Sequence, residues 1–326
     1  MDLVTIQKML PRLTQTSRIA VAFACVYLCW GSTYAAIYIA GLHLAPPLVG
    51  AIRSLISTAI ICTLCVARGS SLRVPGGTAW RLALVGILLM TVNNVLLIWG
   101  ETKVASGLSS LVIAMVPIFV ALIEAALPAG ERLNLRGWMG TLLGVLGMTV
   151  LLWPALHRAS IGGTGRRSLL GFALLLAAAL AFAIGSVLSR RFRFHIDTFV
   201  ATAWQIGSAG VLNLAIATVG GCFRTAQWTR GGILAIVYLS TVGSVVGLTA
   251  YTYLLQHVPV TKVSTYAFVN PVIAVLIGVA LFHERLAPAE IAGTVLILVA
   301  VATVILSRAK PGPVPSNPML EIPIEE

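Results

Sequence analysis

Apolar residues in this chain run on for membrane-spanning lengths, without the polar–apolar alternation of a strand that buries only one face. Ten runs stand out: Ile19–Ala40, Leu48–Ala67, Trp80–Gly100, Leu108–Leu127, Gly137–Leu156, Leu169–Ser189, Thr198–Val219, Gly232–Leu255, Val263–Leu281 and Ala289–Ser307. A hydrocarbon core about 30 Å thick takes about 20 residues at about 1.5 Å per residue, so each run can form one spanning helix. Barrel strands would alternate over about ten positions, and these runs are continuously apolar. The pattern therefore predicts an all-α polytopic membrane protein with ten transmembrane helices. The first run follows Lys8, Arg12 and Arg18, as a signal peptide would. Its length, its Trp30 and the nine runs after it mark it as a retained helix.

Composition agrees. Of 326 residues 58% are hydrophobic and 10% charged, against roughly 45–50% and about 25% in soluble domains. Ten spans leave room for short loops and two tails, and none for a large domain outside the bilayer. The net charge of +12 comes from 22 basic and 10 acidic residues. Their placement in ones to threes between apolar runs argues against a nucleic-acid face, which needs a stripe of cations, and for topology signals. With a cytoplasmic N-terminus the inner segments hold 14 Lys and Arg and the outer segments 7. Both termini are thus expected in the cytoplasm, although Arg158, Arg166 and Arg167 after the fifth run count against it. Five cysteines suggest no disulfide framework. Cys62 and Cys65 form a CxxC in an apolar setting, read as packing residues. The scattered histidines make no metal site, and no cofactor is expected.

The chain repeats itself. Glu131-Arg132-Leu133 recurs as Glu284-Arg285-Leu286, Gly140-Thr141 as Gly293-Thr294, Pro117 as Pro271, and Trp30-Gly31-Ser32 as Ile184-Gly185-Ser186, at offsets of 153 or 154. Spans one to five thus duplicate spans six to ten. Because five is odd, the second copy enters the membrane inverted, which creates a pseudo-two-fold axis in the membrane plane and the two opposed gates that alternating access requires. The layout that follows is a tail over 1–18, a first repeat over 19–156, a linker over 157–168, a second repeat over 169–307 and a proline-rich disordered tail over 308–326.

Trp30-Gly31-Ser32-Thr33-Tyr34, Arg53 within Ala51-Ile52-Arg53-Ser54-Leu55, Val116-Pro117-Ile118-Phe119, Tyr266-Ala267-Phe268-Val269-Asn270-Pro271-Val272 and the two Glu-Arg-Leu motifs resemble the EamA-type branch of the drug/metabolite transporter superfamily. The resemblance covers nearly the whole chain. It implies a ten-helix bacterial inner-membrane exporter of small metabolites such as amino acids, with a cavity between two five-helix halves.

A charge in hydrocarbon must be paired, hydrated or snorkelled. Arg53 therefore either attracts an anionic group such as a substrate carboxylate, or bonds carbonyls of a broken helix or snorkels to the interface. The structural role is the favoured one. Glu124 and Glu101 lie near span ends, as interfacial groups or proton-linked ones. Polar and aromatic residues of matching spans, which offer hydrogen bonds without a large desolvation cost, are expected to line the cavity: Trp30, Ser32, Tyr34, Asn93, Asn94, Trp99, Tyr251, Tyr253, Tyr266 and Asn270. The same residue types also join membrane helices or sit in interface belts. Pro117 and Pro271, each removing a helix hydrogen bond, are read as paired gates. Gly140-x3-Gly144 and Gly243-x3-Gly247 are read as contacts within the chain.

The competing class is an intramembrane enzyme, a protease or group transferase. Asp2 and Asp197 are the only aspartates, and neither HExxH nor GxSxG occurs. No filter-like loop suggests a channel and no GxxxxGK[ST] an ATP pump. The reading is a transporter that moves a small-molecule substrate across the lipid bilayer, driven by an ion gradient or by the substrate's own gradient.

Overall fold

The structure, a computed structural model, describes residues 14–128, 133–160, 165–258, 263, 265–283 and 287–307. The two tails, the Glu-Arg pairs at 131–132 and 284–285, Leu286 and Ser264 lie outside the described residues. Ten helices follow one another: α1 Gln15–His43, α2 Pro46–Ala67, α3 Gly76–Glu101, α4 Ser106–Ala126, α5 Leu135–Ser160, α6 Gly165–Arg191, α7 Thr198–Val219, α8 Arg230–His257, α9 Tyr266–Phe282 and α10 Pro288–Ser307. Among the described residues nine of them are long and apolar enough to cross a bilayer, and α9 is a shorter apolar helix. No strand occurs among the described residues.

Local chemistry sets the helix starts. Thr14 caps α1 through Ser17 N, Pro46 and Pro47 open α2, and Asp197 Oδ1 caps α7 by accepting from Phe199 N and Val200 N. Several helices begin a turn before the apolar run they contain, because capping and interfacial polar residues extend them past the hydrocarbon. Proline acts differently in the two halves. α4 breaks at Ala114–Met115, and Pro117 sits in the first turn of its second segment, where a missing N–H costs nothing. Pro271 lies inside an unbroken α9.

Equivalent helices of the two halves meet each other: α5 packs on α10, α2 on α7, and the first segment of α4 on α9. Small residues allow this. Gly140 and Gly147 of α5 abut Ala300, Val304 and Ile297 of α10, while Gly293 of α10 abuts the Leu151 backbone. The glycine pairs read from the sequence are thus contacts within the chain: Gly144 faces Ile118, Gly243 faces Thr33 and Arg53, and Gly247 faces Trp30. The result is two inverted five-helix halves joined along their shared axis.

Candidate functional site

Two stretches depart from α-helical geometry, and they lie at matching places in the two halves. Residues Ile87–Val92 of α3 and Leu239–Leu248 of α8 are π-helical. Such widening leaves carbonyls without their usual i+4 donor, and it recurs at functional sites. Polar side chains answer those carbonyls here. Asn94 Nδ2 donates to Leu89 O and Met90 O at 3.2 and 3.3 Å, Ser57 Oγ to Ser240 O at 2.9 Å, and Trp30 Nε1 to Gly243 O at 3.1 Å.

Arg53 of α2 joins the two widened helices. Its Nε donates to Ser244 Oγ in α8 at 2.7 Å, and its Nη1 to Asn94 Oδ1 in α3 at 2.9 Å. It is 5% exposed, so it does not snorkel, and its bonds go to side chains, not to the carbonyls of a broken helix. Among the described residues it has no ion pair.

Beside Arg53 lies a small cavity of about 60 Å³, walled by Trp30, Thr33, Tyr34 and Ile37 of α1, Met90, Asn93, Asn94 and Leu97 of α3, Ile113 of α4, Phe182 of α6, and Tyr266 and Asn270 of α9. The Oδ1 atoms of Asn93 and Asn270 are buried and have no hydrogen-bond partner among the described residues. Toward the side where α1 begins, four rings form a layer. Trp30 lies 4.8 Å from Tyr251, 5.5 Å from Tyr266 and 5.8 Å from Phe182, centroid to centroid. Tyr251 OH bonds Ser186 Oγ at 2.9 Å. On the opposite side Tyr38 packs on Phe282 at 5.0 Å. Beyond that pair is a second pocket, with Glu101, Lys103 and Arg167 in its wall. Burial, and then the charge of Arg167, lower the Lys103 pKa.

The structure brings Trp30, Tyr34, Arg53, Asn93, Asn94, Tyr266 and Asn270 together around the cavity, with Tyr251 in the ring layer behind it. It places three expected residues elsewhere. Trp99 is 51% exposed near the end of α3, under Lys103 Nζ at 5.6 Å from the ring, as an interfacial tryptophan would be. Tyr253 stacks on His257 at 4.1 Å near the end of α8. Ser32 bonds Tyr238 OH at 2.6 Å in a lateral groove on the outside of the bundle. In each case the helical turn points the side chain away from the axis between the halves. Glu124 pairs with Arg191 at 3.2 Å, joining the ends of α4 and α6, and Glu101 is buried at the end of α3. Phe182 carried no signal in the sequence: it is one apolar residue in an apolar run. Among the described residues no cluster of His, Cys, Asp or Glu could hold a metal ion.

Ten helices in two inverted halves around a polar, ring-capped cavity form the architecture of a membrane transporter. The model of the EamA-like transporter family matches residues 17–153 and 169–306, and the chain belongs to that family. It is 32% identical over 289 residues to the uncharacterized inner membrane transporter YedA of Escherichia coli (strain K12), covering 88% of this chain and 90% of that one. It is 26% identical over 303 residues to the uncharacterized transporter YvbV of Bacillus subtilis (strain 168), covering 91% and 93%. A solved crystal structure 24% identical in sequence covers 90% of this chain and 98% of its own with a TM-score of 0.65, a likeness of fold alone. The protein is a multi-pass membrane transporter.

Proposed function

We propose that the protein exports small carboxylate-bearing metabolites, amino acids or related compounds, across the bacterial inner membrane by alternating access around the Arg53 cavity. Arg53 carries this reading. A guanidinium taken out of water and given only the neutral oxygens of Ser244 and Asn94 is short of a counter-anion, and a carboxylate supplies one with charge-assisted, bidentate geometry. The open Asn93 and Asn270 acceptors suit an N–H donor on the same small molecule.

The cavity of about 60 Å³ has room for a few waters, far less than the roughly 300–1,000 Å³ of pockets that hold drug-sized ligands. Loading therefore requires the halves to part. The Trp30–Phe182–Tyr251–Tyr266 layer is the gate on the side where α1 begins, with the Glu124–Arg191 pair as a latch beside it. Tyr38 and Phe282 close the other side. The excess of basic residues in alternate loops supports a cytoplasmic position for both termini. Glu124, ion-paired as it is, serves as a latch and not as a proton relay. Glu101 beside the second pocket is then the proton-linked candidate.

The test is uptake into proteoliposomes of a panel of radiolabelled amino acids and related metabolites. For the best substrate, Arg53→Gln is expected to lower transport about tenfold to a hundredfold, the range of a lost charge-assisted hydrogen bond. Arg53→Lys retains part of it, and Trp99→Ala leaves it unchanged. Wild-type rates in Arg53→Gln, with normal abundance and melting, would remove the carboxylate reading.

A further inference from the structure

On the lipid-facing side of the bundle, α1, α2, α7 and α8 leave a groove of about 620 Å³ at the membrane surface where α1 begins. Its inner wall is apolar and exposed: Val21 of α1, Leu64 of α2 and Val246 of α8. Along α8 it runs from Val245 to Tyr253, about 12 Å at the helical rise, which takes it from the interface into the hydrocarbon. Two cations stand at its mouth, Arg18 at the start of α1 and Arg68 just past the end of α2. Both are exposed, and neither has an ion pair among the described residues. The Arg68 guanidinium lies 4.2 Å over the Phe199 ring, which holds it at the rim. The one acid in the wall among the described residues, Asp197, is already used: its Oδ1 accepts from Phe199 N at 2.9 Å and Val200 N at 3.1 Å, against the positive end of α7.

We propose that this groove binds an anionic phospholipid, its phosphodiester between Arg18 and Arg68 and an acyl chain along the apolar wall. Basic pockets between membrane helices at the interface take such headgroups, because the cations meet the phosphate at the depth where the bilayer presents it. A second lateral groove on the same molecule sharpens the assignment. Between α1, α8 and α9, it holds about 800 Å³ and has no charged residue in its wall among the described residues, so it accepts acyl chains without choosing a headgroup. The site is separate from the Arg53 cavity and does not depend on the transported substrate.

Native mass spectrometry of the purified full-length protein, titrated with phosphatidylglycerol or with phosphatidylcholine of the same acyl chains, tests this. One phosphatidylglycerol is expected to be held about thirtyfold more tightly than phosphatidylcholine, at roughly fivefold per arginine. Arg18→Gln/Arg68→Gln removes the preference, Arg18→Lys/Arg68→Lys keeps most of it, and Arg224→Gln at the opposite interface leaves it intact. Glycerol phosphate does not displace the lipid. Equal binding of the two lipids by the wild type, a preference that survives in the double glutamine variant or disappears in Arg224→Gln, or displacement by glycerol phosphate would each overturn the proposal. The wild-type comparison stands even if a variant fails to fold.

Discussion

At Gly86 the chain leaves no space for a side chain: a Cβ there would stand 2.0 Å from the Gln205 carbonyl oxygen, backbone against backbone, where α3 crosses α7. Gly86→Ala must push the helices apart, at a cost of about 1–3 kcal/mol or more. Gly77, in the first turn of α3, has nothing within 4 Å of the same position. The expected outcome is a clearly lowered melting temperature in detergent for Gly86→Ala and none for Gly77→Ala. Equal melting would disprove the close crossing. Single residues were legible in the sequence where they broke a pattern. Arg53 is such a residue, a cation five residues into an apolar run where Arg81 stands only at the edge of its own, and the cost of burying charge marks it before any fold is known. Trp99 and Tyr253 broke the pattern too, yet lie outside the cavity, since an aromatic ring is as well placed at the interface as in a binding site.

At the scale of the element, the ten helices follow from apolar length, while their internal breaks do not. The π-helical stretches at Ile87–Val92 and Leu239–Leu248 have no signature in an apolar run, because what stabilises them is the donors of Asn94, Ser57 and Trp30 from within and from neighbouring helices. The prolines were visible, but their effects were not. Pro117 sits in the first turn after a break, and Pro271 sits inside a continuous helix. If they are the paired gates of two opposed half-sites, Pro117→Ala and Pro271→Ala shift the accessibility of a cysteine at position 113, in the cavity wall, in opposite directions. The larger shift is expected from Pro271→Ala, where alanine restores a hydrogen bond in mid-helix. Impermeant thiol reagent applied to cells and to inverted vesicles reads this. Shifts of the same sign, or none with transport intact, make the prolines ordinary kinks.

At the scale of the whole molecule, orientation is the property most open to a direct check. With both termini in the cytoplasm, single cysteines at Ser160 and Ser316 in a background lacking the native five differ on intact cells: impermeant reagent labels position 160 and spares 316. The reverse pattern would invert the topology and, with it, the direction assigned to each gate.

Sequence alone determined the membrane class, the number of helices and the inverted duplication. Each rests on a one-dimensional property: the length of apolar runs, the offset of repeated motifs and the odd number of helices per copy. Only the tertiary structure decided which polar residues share a space. Residues 30, 53, 94, 182, 244 and 266 are brought together by the crossing of helices from both halves. Such crossings depend on where glycines let backbones approach and on how far a π turn rotates the helix beyond it. Both are properties of packed helices in three dimensions, so the spacing of letters within any one span does not contain them.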